Sequence, residues 1–203
     1  MIDLYEATFD SEHLRWADKL QQSQIKLFWD ETSGGFFKAP ATSELILRMK
    51  DDQDSAEPSA NSVSARNLLR LGTLVGDRSY DEKAIRTCQS LGSALENAPW
   101  AFPAILLSVV GCLEGMRQIV LVGMDNDEIT EMFLKNLRER VLVNTVVIRL
   151  DPQEPDEWLV TYNDMLQEVL KISSEGKPFV SICEGYSCGL PIREVEGLIK
   201  ALD

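Results

Sequence analysis

Apolar residues recur at helical spacing through the first half of the chain and gather into short continuous runs in the second. From Ser11, a plausible N-cap, the pattern predicts a helix to about Trp29. Leu14, Ala17, Leu20, Leu27 and Phe28 lie on one side of it, with Gln21 and Gln24 on or near that side. Asp30 to Gly35 breaks this helix, Phe36 to Lys38 reads as extended, and Pro40 ends that piece. A second helix begins near Ser59 with a stripe of Ala60, Val63, Ser64, Asn67, Leu68, Leu71, Leu74 and Val75, stopped by Gly76. A third runs roughly from Tyr80 to Glu96, and Pro99 opens a fourth that ends at Gly111 to Gly115. Four helices joined by short turns read as two antiparallel helical hairpins.

The period changes after Arg117. Gln118–Val122, Thr145–Leu150 and Phe179–Cys183 are compact apolar strands, alternating with helices over 126–140, 155–170 and 192–202. Strand-helix repetition with continuous apolar strands predicts a small three-stranded parallel sheet covered by helices. The expected class is therefore mixed α and α/β, with a helical-hairpin region over 1–116 and a small α/β region over 117–203.

Charge narrows the partners. The formal net charge of −13 is shared almost evenly between the two halves, and no Lys/Arg cluster interrupts it. Nucleic acid and anionic membrane are thus poor electrostatic partners. The longest apolar stretch, Ala98 to Leu113, is short and broken by Pro99, Pro103, Ser108 and Gly111, so no membrane span is expected. The residues after Met1 have neither the basic start nor the apolar run of a signal peptide. Four cysteines in a chain this long form no disulfide framework and favour the cytoplasm or another reducing compartment.

The densest polar chemistry lies between Lys50 and Val63, where four carboxylates, two amides and three hydroxyls run straight into a helix. One reading makes it a sugar or polar-ligand site, with Asp54 and Glu57 as paired acid/base carboxylates and Asn61 binding a hydroxyl. The other makes it a device for starting the helix, since acids and a Pro-Ser pair suit the first turn. A metal reading through Asp51, Asp52, Asp54 and Glu57 lacks the glycine and ligand spacing of a calcium loop, so no metal or cofactor is expected. Trp29 and Trp100 flank the hairpins and are the candidates for stacking on a ligand. Cys183 and Cys188 read first as structural thiols, second as a disulfide or redox switch, and last as metal ligands, since zinc sites need four ligands. After the Val122–Gly123 turn, Asp125 or Asn126 is expected to cap a helix, because no phosphate-binding glycine motif is present. His13 has no motif around it to make a catalytic triad.

Several of these segments also carry a family resemblance. Leu47 to Leu71, Phe28-Trp29-Asp30 with Gly34-Gly35-Phe36-Phe37, the strand Gln118 to Gly123, and Val180-Ser-Ile-Cys-Glu-Gly-Tyr-Ser-Cys-Gly-Leu-Pro-Ile follow one another in family order and cover nearly the whole chain. Together they resemble the C-terminal part of the spermatogenesis-associated protein 20 family. The resemblance implies a longer polypeptide, with a thioredoxin-like domain, a helical toroid of the six-hairpin glycosidase- and epimerase-like type, and a small terminal α/β segment. This chain would hold a partial α/α toroid of two hairpins and that segment. Its expected partner is then the remainder of the same polypeptide, with a homodimer and a sugar ligand as further possibilities. The family's activity is poorly defined, a role in male fertility being the usual suggestion, and the chain alone is expected to lack catalysis. Toroid-facing stripes such as Leu68, Leu71 and Val75 are expected to stay exposed without their neighbours.

Overall fold

A computed structural model describes residues 1–42, 46–51, 53–185 and 187–203. The chain divides into two units. One comprises residues 1–2, 12–72 and 77–115; the other comprises 3–11, 73–76 and 116–203. Among the described residues there are ten α-helices and a four-stranded mixed sheet. No described helix is long and apolar enough to cross a membrane.

The chain opens with α1 (Ile2–Thr8), which the apolar pattern did not reveal, followed by α2 (Ser11–Phe28). The face of α2 differs from the expected one. Leu14, Ala17 and Gln21 are buried, whereas Trp16, Leu20 and Leu27 are exposed. Amides explain how a polar face can turn inward. Gln24 donates to the Ser64 hydroxyl at 2.7 Å, and Gln21 donates to the Gln24 carbonyl at 2.9 Å, so each polar group turned inward gains a partner.

The stripe of α3 (Ala60–Val75) does not stay exposed. Leu68, Leu71, Leu74 and Val75 are all buried, which corrects the expectation for Leu68, Leu71 and Val75; of the apolar stripe, Ala60 and Val63 at the start of the helix are exposed. The reason is that α3 is buried on more than one side, with Ala65, Leu69, Ser62 and Ser64 buried as well. The long third helix is two, α4 (Arg78–Ser90) capped by Asp77, and α5 (Gly92–Asn97), separated at Leu91. A single 3-10 turn over Pro99–Ala101 then leads into α6 (Pro103–Glu114). Ala65, Cys88, Leu91, Phe102 and Ile105 form a core cluster of this unit.

In the α/β unit, β1 (Arg117–Val122), α7 (Glu128–Arg138) and β2 (Thr145–Leu150) make a strand-helix-strand unit, with β1 and β2 parallel in register Arg117 to Thr145. The N-cap of α7 is Asp127, not Asp125 or Asn126: its carboxylate accepts from the Thr130 amide at 2.8 Å. Asp125 instead pairs with Arg149.

The sheet is not the expected three-stranded parallel one. Its order is β2-β1-β3-β4; β3 (Phe179–Glu184) runs antiparallel to β1, and β4 (Ser187–Cys188) antiparallel to β3. A parallel return needs one crossover element that carries the chain back to the starting edge. The apolar run over 155–170 reads as one such helix but breaks at Asn163 into α8 (Glu157–Tyr162) and α9 (Asp164–Lys171). Asn163 accepts from the Met165 amide and donates to the carbonyls of Thr73 and Leu74, so it ends one helix, starts the next and satisfies one buried and one part-buried acceptor. The final helix, α10 (Val195–Leu202), joins α7 over Ile119, Leu121 and Val180 in the core of this unit. Glu6 of α1 accepts from the Val147 amide at 3.3 Å, which occupies a donor on the edge strand β2.

Candidate functional site

The polar loop is built around two hydrogen-bonding centres, both within the helical unit. The first is Asp54. Its Oδ1 accepts from the Ser59 amide at 2.7 Å and the Ser62 hydroxyl at 2.8 Å, and its Oδ2 accepts from the Ala104 amide at 2.8 Å. Ser59 and Ser62 sit at the start of α3, and Ala104 is the second residue of α6. One carboxylate therefore serves the amino ends of two helices, where unpaired N–H groups and the helix dipoles favour negative charge. The Asp54 amide donates to the Ala101 carbonyl at 3.0 Å, fixing the loop against the 3-10 turn. Partial burial alone would raise the Asp54 carboxyl; the bonds from Ser59, Ala104 and Ser62 outweigh it and hold the group below its ordinary value of 3.8.

The second centre is Asn61, fully buried at 0% exposure. Its Oδ1 accepts from the Phe36 amide at 2.7 Å, and its Nδ2 donates to the carbonyls of Phe36 and Asp51, each at 3.1 Å. The side chain thus acts as a strand partner for Phe36. Beside it, Gly34 and Gly35 have φ of +76° and +78°. A Cβ on Gly34 would lie 2.5 Å from the Arg86 carbonyl oxygen, so both backbone angle and space require glycine there.

An ion pair that the hydropathy pattern did not single out completes the region. Lys50 Nζ lies 2.8 Å from Asp30 Oδ2 and donates to the Gly34 carbonyl, while Asp30 Oδ1 accepts from the amides of Thr32 and Ser33. Burial opposes ionisation of Asp30, but Lys50 and the two amides together keep its carboxyl below the ordinary value. The signal available in the sequence was local: Asp30 followed by Glu-Thr-Ser-Gly-Gly is the composition of an Asx turn.

The remaining predicted residues separate. Glu57 is exposed, and its backbone carbonyl accepts from the Ser55 amide. Trp29 is only 7% exposed, edge-on to Phe36 with ring centroids 5.2 Å apart and Arg86 over its face at 5.1 Å, so its ring is occupied by the protein itself. Trp100 is the opposite case, 79% exposed on the 3-10 turn that Asp54 holds. Cys183 and Cys188 are joined in a disulfide across the β3–β4 ladder, where the two residues face each other in register. This corrects the reading of free structural thiols; the short return of the chain at Gly185 brings β4 back alongside β3. Asp52, one of the four acids in the metal reading, lies outside the described residues, as does Tyr186 between the two cysteines. Among the described residues no group of three His, Cys, Asp or Glu side chains is placed to hold a metal ion.

Chemically, Asp54 is an ionised acceptor with its lone pairs committed to the fold. A general acid of a carboxylate pair needs the reverse, a carboxyl held protonated. The class defined by these features is mixed α/β: a helical unit with a buried polar joint and a unit built on a four-stranded mixed sheet.

No family model matches the chain. Among curated proteins it is similar to spermatogenesis-associated protein 20 of Mus musculus, with 35% identity over 100% of this chain and 25% of the relative's length. The Homo sapiens protein of the same name is 34% identical, again over 100% of this chain and 26% of its own length. An uncharacterised protein of Caenorhabditis elegans is 30% identical over 98% of the chain and 26% of its length. The chain spans about a quarter of the length of these relatives. Over its whole length the chain matches that quarter of the spermatogenesis-associated protein 20 sequences at 34–36% identity.

Proposed function

We propose that this chain works as a structural portion of a longer spermatogenesis-associated protein 20-type polypeptide, contributing two helical hairpins to a larger α/α toroid and carrying no catalysis by itself. The observation that carries the reading is α2. It turns Gln21 inward and presents Trp16, Leu20 and Leu27 to the outside. A second row, Leu106, Leu107, Val110 and Leu113, lies exposed on α6. Ordered apolar rows on helices mark surfaces that other protein covers, and relatives about four times as long supply sequence to cover them. The remainder of the same polypeptide is the occupant this reading names; a second copy of the chain is the competing one.

The test compares one double variant, Leu20→Glu with Leu27→Glu, in two settings. In the isolated chain the two positions are exposed, so stability changes by no more than about 0.5 kcal/mol. In the full-length polypeptide the same change buries two charges and lowers the thermal midpoint of the helical domain by several degrees. Equal behaviour in both settings refutes the docking role. Loss of a dimer in sedimentation of the isolated chain would assign the face to self-association instead.

A carbohydrate-directed reading rests on a different observation, the exposed indole of Trp100 on a turn pinned by Asp54. An apolar ring fixed at the surface is a platform for a sugar face, with the exposed Glu57 as the polar partner this reading would use; Asn61, buried and bonded to the backbone of Phe36 and Asp51, drops out of it. It expects the full-length protein to bind a member of a sugar panel by calorimetry and Trp100→Ala to weaken that binding at least about tenfold, a loss of about 1.4 kcal/mol. Binding that is indifferent to Trp100→Ala, or no binding at all, removes it.

A further inference from the structure

Two cysteines outside the β3–β4 disulfide also face one another. Cys88 lies on α4 and Cys112 on α6, helices that pack together, and their sulfurs are 4.0 Å apart. Cys88 is buried in the core cluster with Ala65, Leu91, Phe102 and Ile105, and Cys112 packs half-buried at its border. A bonded pair needs the sulfurs to close by about 2 Å, a distance within the sweep of two side-chain rotations and small backbone adjustments.

We infer that Cys88 and Cys112 form a reversible redox modification site that exchanges with a low-molecular-weight disulfide of the glutathione class. Cys112 is the more accessible sulfur and attacks first. Its thiolate bonds to one sulfur of the small disulfide, the S–S bond of that molecule breaks, and one thiol leaves after taking up a proton. Cys88 then gives up its proton and attacks the Cys112 sulfur, expelling the second small thiol. Two protein thiols are oxidised to one disulfide, and one small disulfide is reduced to two thiols. The asymmetry of the pair suits these roles. The sulfur–sulfur hydrogen bond holds Cys112 below its ordinary value against burial and the Asp81 carboxylate, whereas the same bond and then burial push the Cys88 thiol up. The product ties α4 to α6 and is separate from Cys183–Cys188.

The experiment treats the full chain with oxidised glutathione, alkylates the remaining thiols and maps the peptides. The expected product is a linked Cys88–Cys112 peptide pair that returns to two thiols on exposure to excess reduced glutathione. Cys88→Ser should stop the reaction at glutathione on Cys112. Cys112→Ser should slow the loss of the Cys88 thiol about tenfold or more, because the buried sulfur must then react directly. Circular dichroism verifies that each variant is folded, and Cys88→Ala replaces the serine variant if the hydroxyl is not accepted in the core. The inference is overturned if Cys112 stays alkylatable, if glutathione accumulates on Cys112 in the unsubstituted chain, if the link forms to Cys183 or Cys188, or if the linked product resists the thiol.

Discussion

Replacing Asn61 with alanine lowers the stability of the helical unit by about 3–5 kcal/mol, read from urea denaturation. The estimate follows from what the amide leaves behind. The Phe36 amide and carbonyl and the Asp51 carbonyl lose their partner together, at a position with 0% exposure. Each buried orphan costs on the order of 1–3 kcal/mol, and the vacated volume adds to it. Asn61→Asp provides the sharper comparison. It keeps the acceptor for the Phe36 amide but sets a carboxylate against two carbonyl oxygens, so it should destabilise at least as much as alanine at neutral pH. Burial beside two acceptors raises the folded-state pKa of the new carboxyl, and the protonated group can donate to a carbonyl. Stability relative to Asn61→Ala should therefore be regained below the ordinary carboxylate range and lost as pH rises through the raised value. Changes within about 0.5 kcal/mol for both variants would show that Asn61 does not hold the joint.

How much of this joint could be read beforehand depended on the range of the interaction. The start of α3 near Ser59 was legible, because the acid-rich approach and the serine cap act within a few residues. That Asp54 also reaches Ala104, fifty residues on, was not. Asn61 stood out as a polar side chain at a helix start but pointed toward a ligand hydroxyl. Its partners are the backbone of Phe36 and Asp51, and no side-chain pattern encodes a backbone partner. On α2, hydropathy assigned Leu20 and Leu27 to the core and left the Gln21–Gln24–Ser64 chain unseen. In the α/β unit the three main strands were clear from their apolar runs. The antiparallel direction of β3 depended on the break at Asn163, whose donors reach Thr73 and Leu74 far back in the chain.

Asp54 carries the second large effect, and its sign with pH differs from that of an acid catalyst. Asp54→Ala removes the acceptor for Ser59, Ser62 and Ala104 at once and should cost about 2–4 kcal/mol, since it uncaps α3 and α6 together. Asp54→Asn retains one acceptor oxygen but sets an N–H₂ donor against a donor that the carboxylate accepted from, so roughly half that loss is expected. The folded carboxyl lies below its ordinary value of 3.8: burial works against ionisation, and the Ser59, Ala104 and Ser62 bonds outweigh it. A depressed folded pKa means that the stabilisation is complete above the ordinary value and is lost as pH falls through the lowered one. The gap in stability between the unsubstituted chain and Asp54→Asn should accordingly be constant from neutral pH down to about pH 5 and narrow below 3.8. Asp30, lowered by Lys50 and two amides, makes both proteins less stable over the same acid range and cancels from the difference. Thermal unfolding at a series of pH values measures that difference directly. A gap that widens toward acid would mean that Asp54 is protonated in the folded state, and only then would its carboxyl be available as a proton donor.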